Sequence, residues 1–184
     1  MQSLEEIFQN IWKELHKGKS DKKHPFRFGT FVTISEPFPN PRTVVVRKVE
    51  QTNAELWLYT DIRTPKIEEI RLNPKVSWHF YHSKQQIQLR IYGVATILHN
   101  ETITHEIWQN LPDYGKSDYL TQQSPGSLKI NNSKPLLSVN NADNFCVVTT
   151  KIQKIDWLQL SRNGHQRAKF ELEDGNWNNY WLTP

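Results

Sequence analysis

A single cysteine, Cys146, stands in 184 residues, so no internal disulfide framework holds this chain. Its apolar neighbours in FCVV mark it as a small core residue rather than a nucleophile. No apolar run is long enough to span a membrane, and the opening MQSLEEIFQNIWKEL is acidic and amphipathic, unlike a secretory leader. A cytoplasmic protein without membrane attachment is therefore expected. Net charge is +4 and the pI near 9.1, yet no Lys/Arg-rich block appears. Scattered basic residues argue against nucleic acid as the partner. No Cys/His cluster has metal-ligand spacing, so no metal is expected. G-x-S-x-G and a Gly-rich phosphate loop are both missing.

Aromatic bulk is plentiful: seven Trp, six Tyr and eight Phe in a chain that is only 36% hydrophobic. Those rings serve an aromatic core or a site for a ring-shaped ligand. The length suits one domain, 1–184, without internal repeats. Leu4, Ile7, Phe8, Ile11, Trp12 and Leu15 recur at helical spacing and predict an amphipathic helix over 3–17. The period then changes to two. FRFGTFVTI, RTVVVRKVE and AELWLYTD read as successive strands, with a turn at Thr52-Asn53. Thr64-Pro65 opens a short helix, KIEEIRL, as cap and first helical residue. Strands VSWHFYH and QIQLRIYGVATIL follow, then a helix in ETITHEIWQNL and another near DYLTQQ. Residues 124–144, rich in Ser, Asn and Pro, form a long loop. FCVVTTKIQKIDWLQL, HQRAKFELE and NNYWLT close the chain as strands. The expected fold is α+β, mainly β: an antiparallel split β-barrel with peripheral helices.

Charge placement narrows the function. Arg63 and Lys66 flank a helix start whose backbone N–H groups are free, an arrangement suited to phosphate. Glu68 and Glu69 are the competing neutralisers. On strand 86–92, Gln86, Gln88, Arg90 and Tyr92 share a face that meets either solvent or a heteroaromatic ligand. His165, Arg167 and Lys169 stand two apart, and either water or a bound anion relieves their repulsion. His79, His99 and His105 receive no role.

The order of these motifs resembles the pyridoxamine 5′-phosphate oxidase family of FMN-binding split barrels over roughly residues 25–184. The motifs are RTVVVR, LYT, T-P-K before a helix ending in L-N-P, Gln88 leading to Y-G-V-A, Gln123-Ser124, H-Q-R and W-L-T-P. The resemblance implies FMN as cofactor and a homodimer with FMN at the subunit interface. It implies that Arg42, Thr43, Val44, Val45 and Arg47 line the FMN, followed by Tyr59 and Thr60. Lys66 contacts the flavin phosphate, and Arg63 stands in for a missing phosphate-binding Arg. Gln88, the pair Gln123 and Ser124, Trp157 and Arg167 complete the set. Arg42 and Arg47 are five apart, so in a regular strand their side chains point to opposite faces, and both serve one FMN only through a bulge, a backbone contact or a frayed end.

Two departures bear on substrate. The family's substrate-facing R-L-H run is Asn163-Gly164-His165 here, keeping the His and losing the Arg. The upstream grip on substrate phosphate has no counterpart in HEIWQNLPDYGKSDYL beyond Lys116, and Lys129 or Lys134 in the long loop are the other substitutes. The expectation is an FMN-dependent oxidoreductase related to the vitamin B6 enzyme but distinct from it, acting on a small-molecule substrate or electron donor. His165 stands on the substrate side. The alternatives are a non-catalytic FMN-binding redox sensor or carrier, and a basic nucleic-acid-binding barrel.

Overall fold

The computed structural model describes residues 2–128 and 142–184. Helix α1, Leu4–Ser20, begins at a reciprocal cap in which Ser3 and Glu6 each bond the other's backbone N–H. Acidic Glu5 and Glu6 in its first turn and Lys17 and Lys19 in its last complement the helix dipole. These charges carry it to Ser20, three residues past the expected end. Its apolar stripe lies on the barrel, with the Phe8 ring 5.2 Å from Phe170 and 5.1 Å from Trp177.

Among the described residues, nine strands make one antiparallel sheet: β1 Phe28–Ser35, β2 Phe38–Val45, β3 Lys48–Glu50, β4 Glu55–Asp61, β5 Lys75–His82, β6 Ile87–Leu98, β7 Phe145–Gln159, β8 Gln166–Glu173 and β9 Asn176–Leu182. The main path runs β2-β1-β5-β6-β7-β4-β3, and β8 joins β7 with β9 outside it. The two ends of the path, β2 and β3, are consecutive in the chain. RTVVVRKVE is therefore not one strand but two, broken at Val46-Arg47 where the chain crosses between sheet edges. This is the expected split barrel with helices at its periphery.

Strand β7 organises the molecule. It is 15 residues long, and β6 pairs with it along most of its length. On its other side β4 takes Phe145–Lys151, whereas β8 takes Lys154–Gln159. The register slips between the two halves, opposite Tyr92 and Gly93. An added Cβ at Gly93 would lie 2.2 Å from the Lys151 carbonyl oxygen, so no other residue fits the bulge. The slip also reverses the pleat: Cys146, Val148 and Ile152 face the core before it, Ile155 and Trp157 after it. Helix α2, Pro65–Leu72, covers the barrel near β1. Helix α3, Thr102–Asn110, sits over a second cluster of Trp57, Tyr119, Phe145 and Val147, and the short α4, Asp113–Lys116, follows it. The helical turn expected near DYLTQQ thus falls earlier, at 113–119. Of the loop 124–144, residues 129–141 lie outside the described residues, and Lys129 and Lys134 with them.

Candidate functional site

At the start of α2, Lys66 is half-buried and its Nζ donates to the Thr60 hydroxyl at 2.9 Å. Among the described residues no carboxylate pairs with it. Burial first, and then the positive charge of Arg42, lower its pKa below the ordinary lysine value. A cation held in this way is relieved by an anion. Thr60 points inward from β4, and Thr64 closes the turn by donating its hydroxyl to the Asp61 carbonyl at 2.7 Å. Together they form a compact polar cup at one end of the barrel.

The other cations of this cup are committed. The Arg42 guanidinium donates to Glu69 at 2.8 Å and to the Thr33 hydroxyl, and Asn40 donates to Glu69 at 2.7 Å. Burial acts to raise the Glu69 pKa, but the hydrogen bonds from Thr33, Asn40 and Arg42, with Arg42's charge, outweigh it and hold the carboxyl low. Arg63 is likewise engaged, through two bonds to the Asp61 carboxylate at 2.9 and 2.6 Å and others to the Gln122 and Thr121 carbonyls at 3.1 and 2.9 Å. As placed it fastens two loops and adds no free charge for a phosphate. Ser124 completes the fastening by donating to the Arg63 carbonyl at 2.9 Å, while the Gln123 side chain is exposed. Sequence spacing carries no signal for this clamp, because its halves are about sixty residues apart.

Tyr59 lies on the opposite face of β4 from Thr60, its ring 5.4 Å from Phe145 and 5.4 Å from the Arg47 guanidinium. Thr43 and Val45 face outward on β2, whereas Val44 packs on the core. The break after Val45 lets Arg47 turn toward Tyr59 without reaching Arg42's side of the strand.

A second group sits elsewhere. Gln88 and Arg167 flank Leu158 of β7 in one cross-strand row on the outer face. The Gln88 carbonyl lies 3.3 Å from His79 Nε2, so the Gln88 amide nitrogen points onward. Arg167 donates to Asp156 at 3.2 and 2.8 Å, and Arg90 donates to the same carboxylate at 2.7 Å. The repulsion expected along 165–169 is thus relieved by carboxylates: Lys169 meets Glu171 at 2.8 Å. His165 is exposed ahead of β8, with Nδ1 accepting from the Ser161 N–H at 3.1 Å. Gln86 falls in the turn before β6 and leaves the polar row. Trp157 belongs to neither group. It is 3% exposed, on the core face with Leu89 and Ala168, because the residue next to outward Leu158 must point inward. Its side chain thus points away from the Gln88–Arg167 face.

Lys116 rests 5.8 Å from the Trp108 ring. Burial pushes the Cys146 thiol up to about 12, consistent with a core residue. A cavity of about 460 Å³ opens between α1 and the β5–β6 turn, over Ile11, Ile87 and Trp157. Its wall carboxylate, Glu14, is already bound by Lys17 at 2.6 Å and His24 at 3.0 Å. The fold also brings Glu14, His24 and His82 together, which their spacing conceals. Both imidazoles use Nδ1 to accept a backbone N–H, from Phe26 and from Gln85. A neutral imidazole accepting at Nδ1 carries its proton on Nε2, so neither ring offers that nitrogen to a metal.

The sequence profile described as "Pyridoxamine 5′-phosphate oxidase, FMN-binding domain" matches residues 4–99. Among solved structures, a pyridoxamine 5′-phosphate oxidase-related, FMN-binding protein from Nostoc punctiforme is similar at TM-score 0.78 and 22% identity, over 96% of both chains. PhzG from Burkholderia lata, solved with tetrahydrophenazine-1-carboxylic acid, gives TM-score 0.76 at 13% identity, over 97% of this chain and 92% of its own. A general stress protein 26-related protein from Clostridium acetobutylicum gives 0.56 at 15%, over 96% and 93%. At these identities the likeness is one of fold. No curated protein matches the chain in sequence.

Proposed function

Because the chain belongs to the pyridoxamine 5′-phosphate oxidase FMN-binding family, we propose that two copies of it bind FMN at their interface and use it in hydride or electron transfer to or from a small molecule. The observation that carries this reading is the division of the candidate residues along β7. Thr60 pairs at Cys146 and Arg167 at Leu158, twelve residues further on. At about 3.3 Å per residue that is about 40 Å of strand. One flavin mononucleotide does not span it. A second copy laid against the outer face brings Gln88 and Arg167 of one chain to the Lys66 cup of the other. Phe28 and Tyr81, 53% and 45% exposed on that face, provide the apolar surface such an interface requires.

The residues present fit FMN. Lys66, half-buried and without a carboxylate partner among the described residues, suits the phosphate. Gln88 offers its amide to the ring, and Arg167 a guanidinium beside it. When bound, the isoalloxazine supplies the redox chemistry. The chain's residues fix its phosphate, orient its ring and exclude water, while exposed His165 stands at the open side. Neighbours whose names describe oxidases and stress proteins do not select a substrate for this chain. The purified protein is expected to be yellow and dimeric, with one FMN per chain. A colourless protein that leaves flavin fluorescence unchanged on titration would end this reading.

A further inference from the structure

We propose that Asp156 and Arg90 set the reduction potential of the bound flavin by fixing the charge that Arg167 presents to it, a role that rests on the placement of Arg167 proposed above. Asp156 is 7% exposed, opposite Arg90 on β6 and diagonal to Arg167 on β8. Its carboxylate takes one bond from Arg90 and two from Arg167. Two guanidiniums therefore share one carboxylate, and the cluster keeps one uncompensated positive charge beside Gln88. The neighbouring Lys169 does not alter that sum, because Glu171 pairs with it. The Arg90 Nε is buried with no partner among the described residues, so Arg90 is held there by Asp156 rather than by a full set of bonds of its own. Positive charge near the ring favours the reduced flavin, which carries the greater negative charge, and a carboxylate opposes it. Asp156 and Arg90 are positioning residues: neither needs to touch the flavin.

The cluster predicts opposite signs for its two single variants. Asp156→Asn leaves two positive charges and raises the two-electron potential; Arg90→Gln leaves none and lowers it. Each shift is expected to be about tenfold in the ratio of oxidised to reduced flavin, about 30 mV for two electrons. The double variant restores the original net charge and returns close to the wild-type potential. Potentials are measured on the FMN-loaded protein with dithionite as reductant and a mediator dye of known potential. Bound FMN with all three potentials unchanged, or with both single variants moving the same way and the double furthest, overturns the proposal while leaving FMN binding intact. If Asp156→Asn does not fold, the sign for Arg90→Gln still decides. Loss of flavin from the wild-type protein would instead refute the cofactor reading itself.

Discussion

Thr60 and Arg167 both hang from strand β7, at Cys146 and Leu158 respectively, so the two halves of the candidate flavin site lie at opposite ends of one strand. The slipped register at Gly93 further turns those ends to opposite faces. On the proposed reading a single chain carries two half-sites, and a second copy unites them.

The Lys66 half predicts phosphate selectivity. Lys66→Met removes one charge-assisted contact, worth roughly 1.5–3 kcal/mol, and weakens FMN at least about tenfold. Riboflavin, lacking the phosphate, binds the variant and the wild type alike. Fluorescence titration with both flavins measures the two affinities. Equal loss for both would place Lys66 outside the phosphate site.

Two pH slopes of the same sign, in separate windows, follow from Lys66 and Glu69. The Lys66 pKa is lowered by folding, so between its folded value and the ordinary 10.5 the unfolded chain holds more protons, and apo stability rises with pH in that window. Glu69 is depressed, so its contribution is present above the ordinary 4.5 and is lost as pH falls through the lower folded value. Urea unfolding across pH should show both slopes. Lys66→Met should abolish the alkaline rise and Glu69→Gln should flatten the acid fall. FMN affinity should drop as pH rises through the folded pKa of Lys66, where its charge is lost.

Arg63 is expected to act through the loops it fastens. Removing its side chain leaves the 3%-exposed Asp61 carboxylate with only the backbone N–H of residue 63 as donor, and takes the guanidinium from two carbonyls. Arg63→Met should cost roughly 1–3 kcal/mol, discounted for the partial exposure of the pair. Hydrogen exchange should speed up at Thr121–Ser127 in the apo protein. FMN and riboflavin should weaken together, whereas a phosphate ligand would lose FMN alone.

Much of the fold was legible because burial imposes period on sequence. The stripe of α1, the pleats of β5 to β9 and the Thr64-Pro65 start all followed from spacing. The crossing at Val46-Arg47 was not, since RTVVVRKVE continues its alternation through a point where the chain changes sheet edge. The nearness of Lys66 and Thr60 came from local order, whereas the Arg63 clamp and the Asp156 cluster depend on long-range pairing that no local pattern encodes. Trp157 shows the converse error. Its motif suggested a flavin contact, but the register slip in β7 fixes its side chain in the core.

Weak activity on pyridoxamine or pyridoxine phosphate is expected. Asn163, exposed in the turn before β8, stands where the family has a substrate-facing Arg, and Lys116 rests against Trp108. A dianionic substrate leaving water needs cations in place of its hydration. Two missing charged contacts amount to roughly a thousandfold in binding. Steady-state assays of pyridoxal phosphate formation provide the check, and efficient turnover at micromolar substrate would show that other residues supply the grip.

Complementation between two crippled chains tests the two-chain site most directly. Lys66→Glu damages one half-site and Arg167→Gln the other, and each homodimer should bind FMN poorly. Co-expressed with different tags and purified as the mixed dimer, the pair should contain one intact site, formed by Lys66 of one chain and Arg167 of the other. The prediction is half of the wild-type FMN content at near wild-type affinity. A mixed dimer that binds no better than either parent would contradict it, because sites built within one chain always carry one of the two defects.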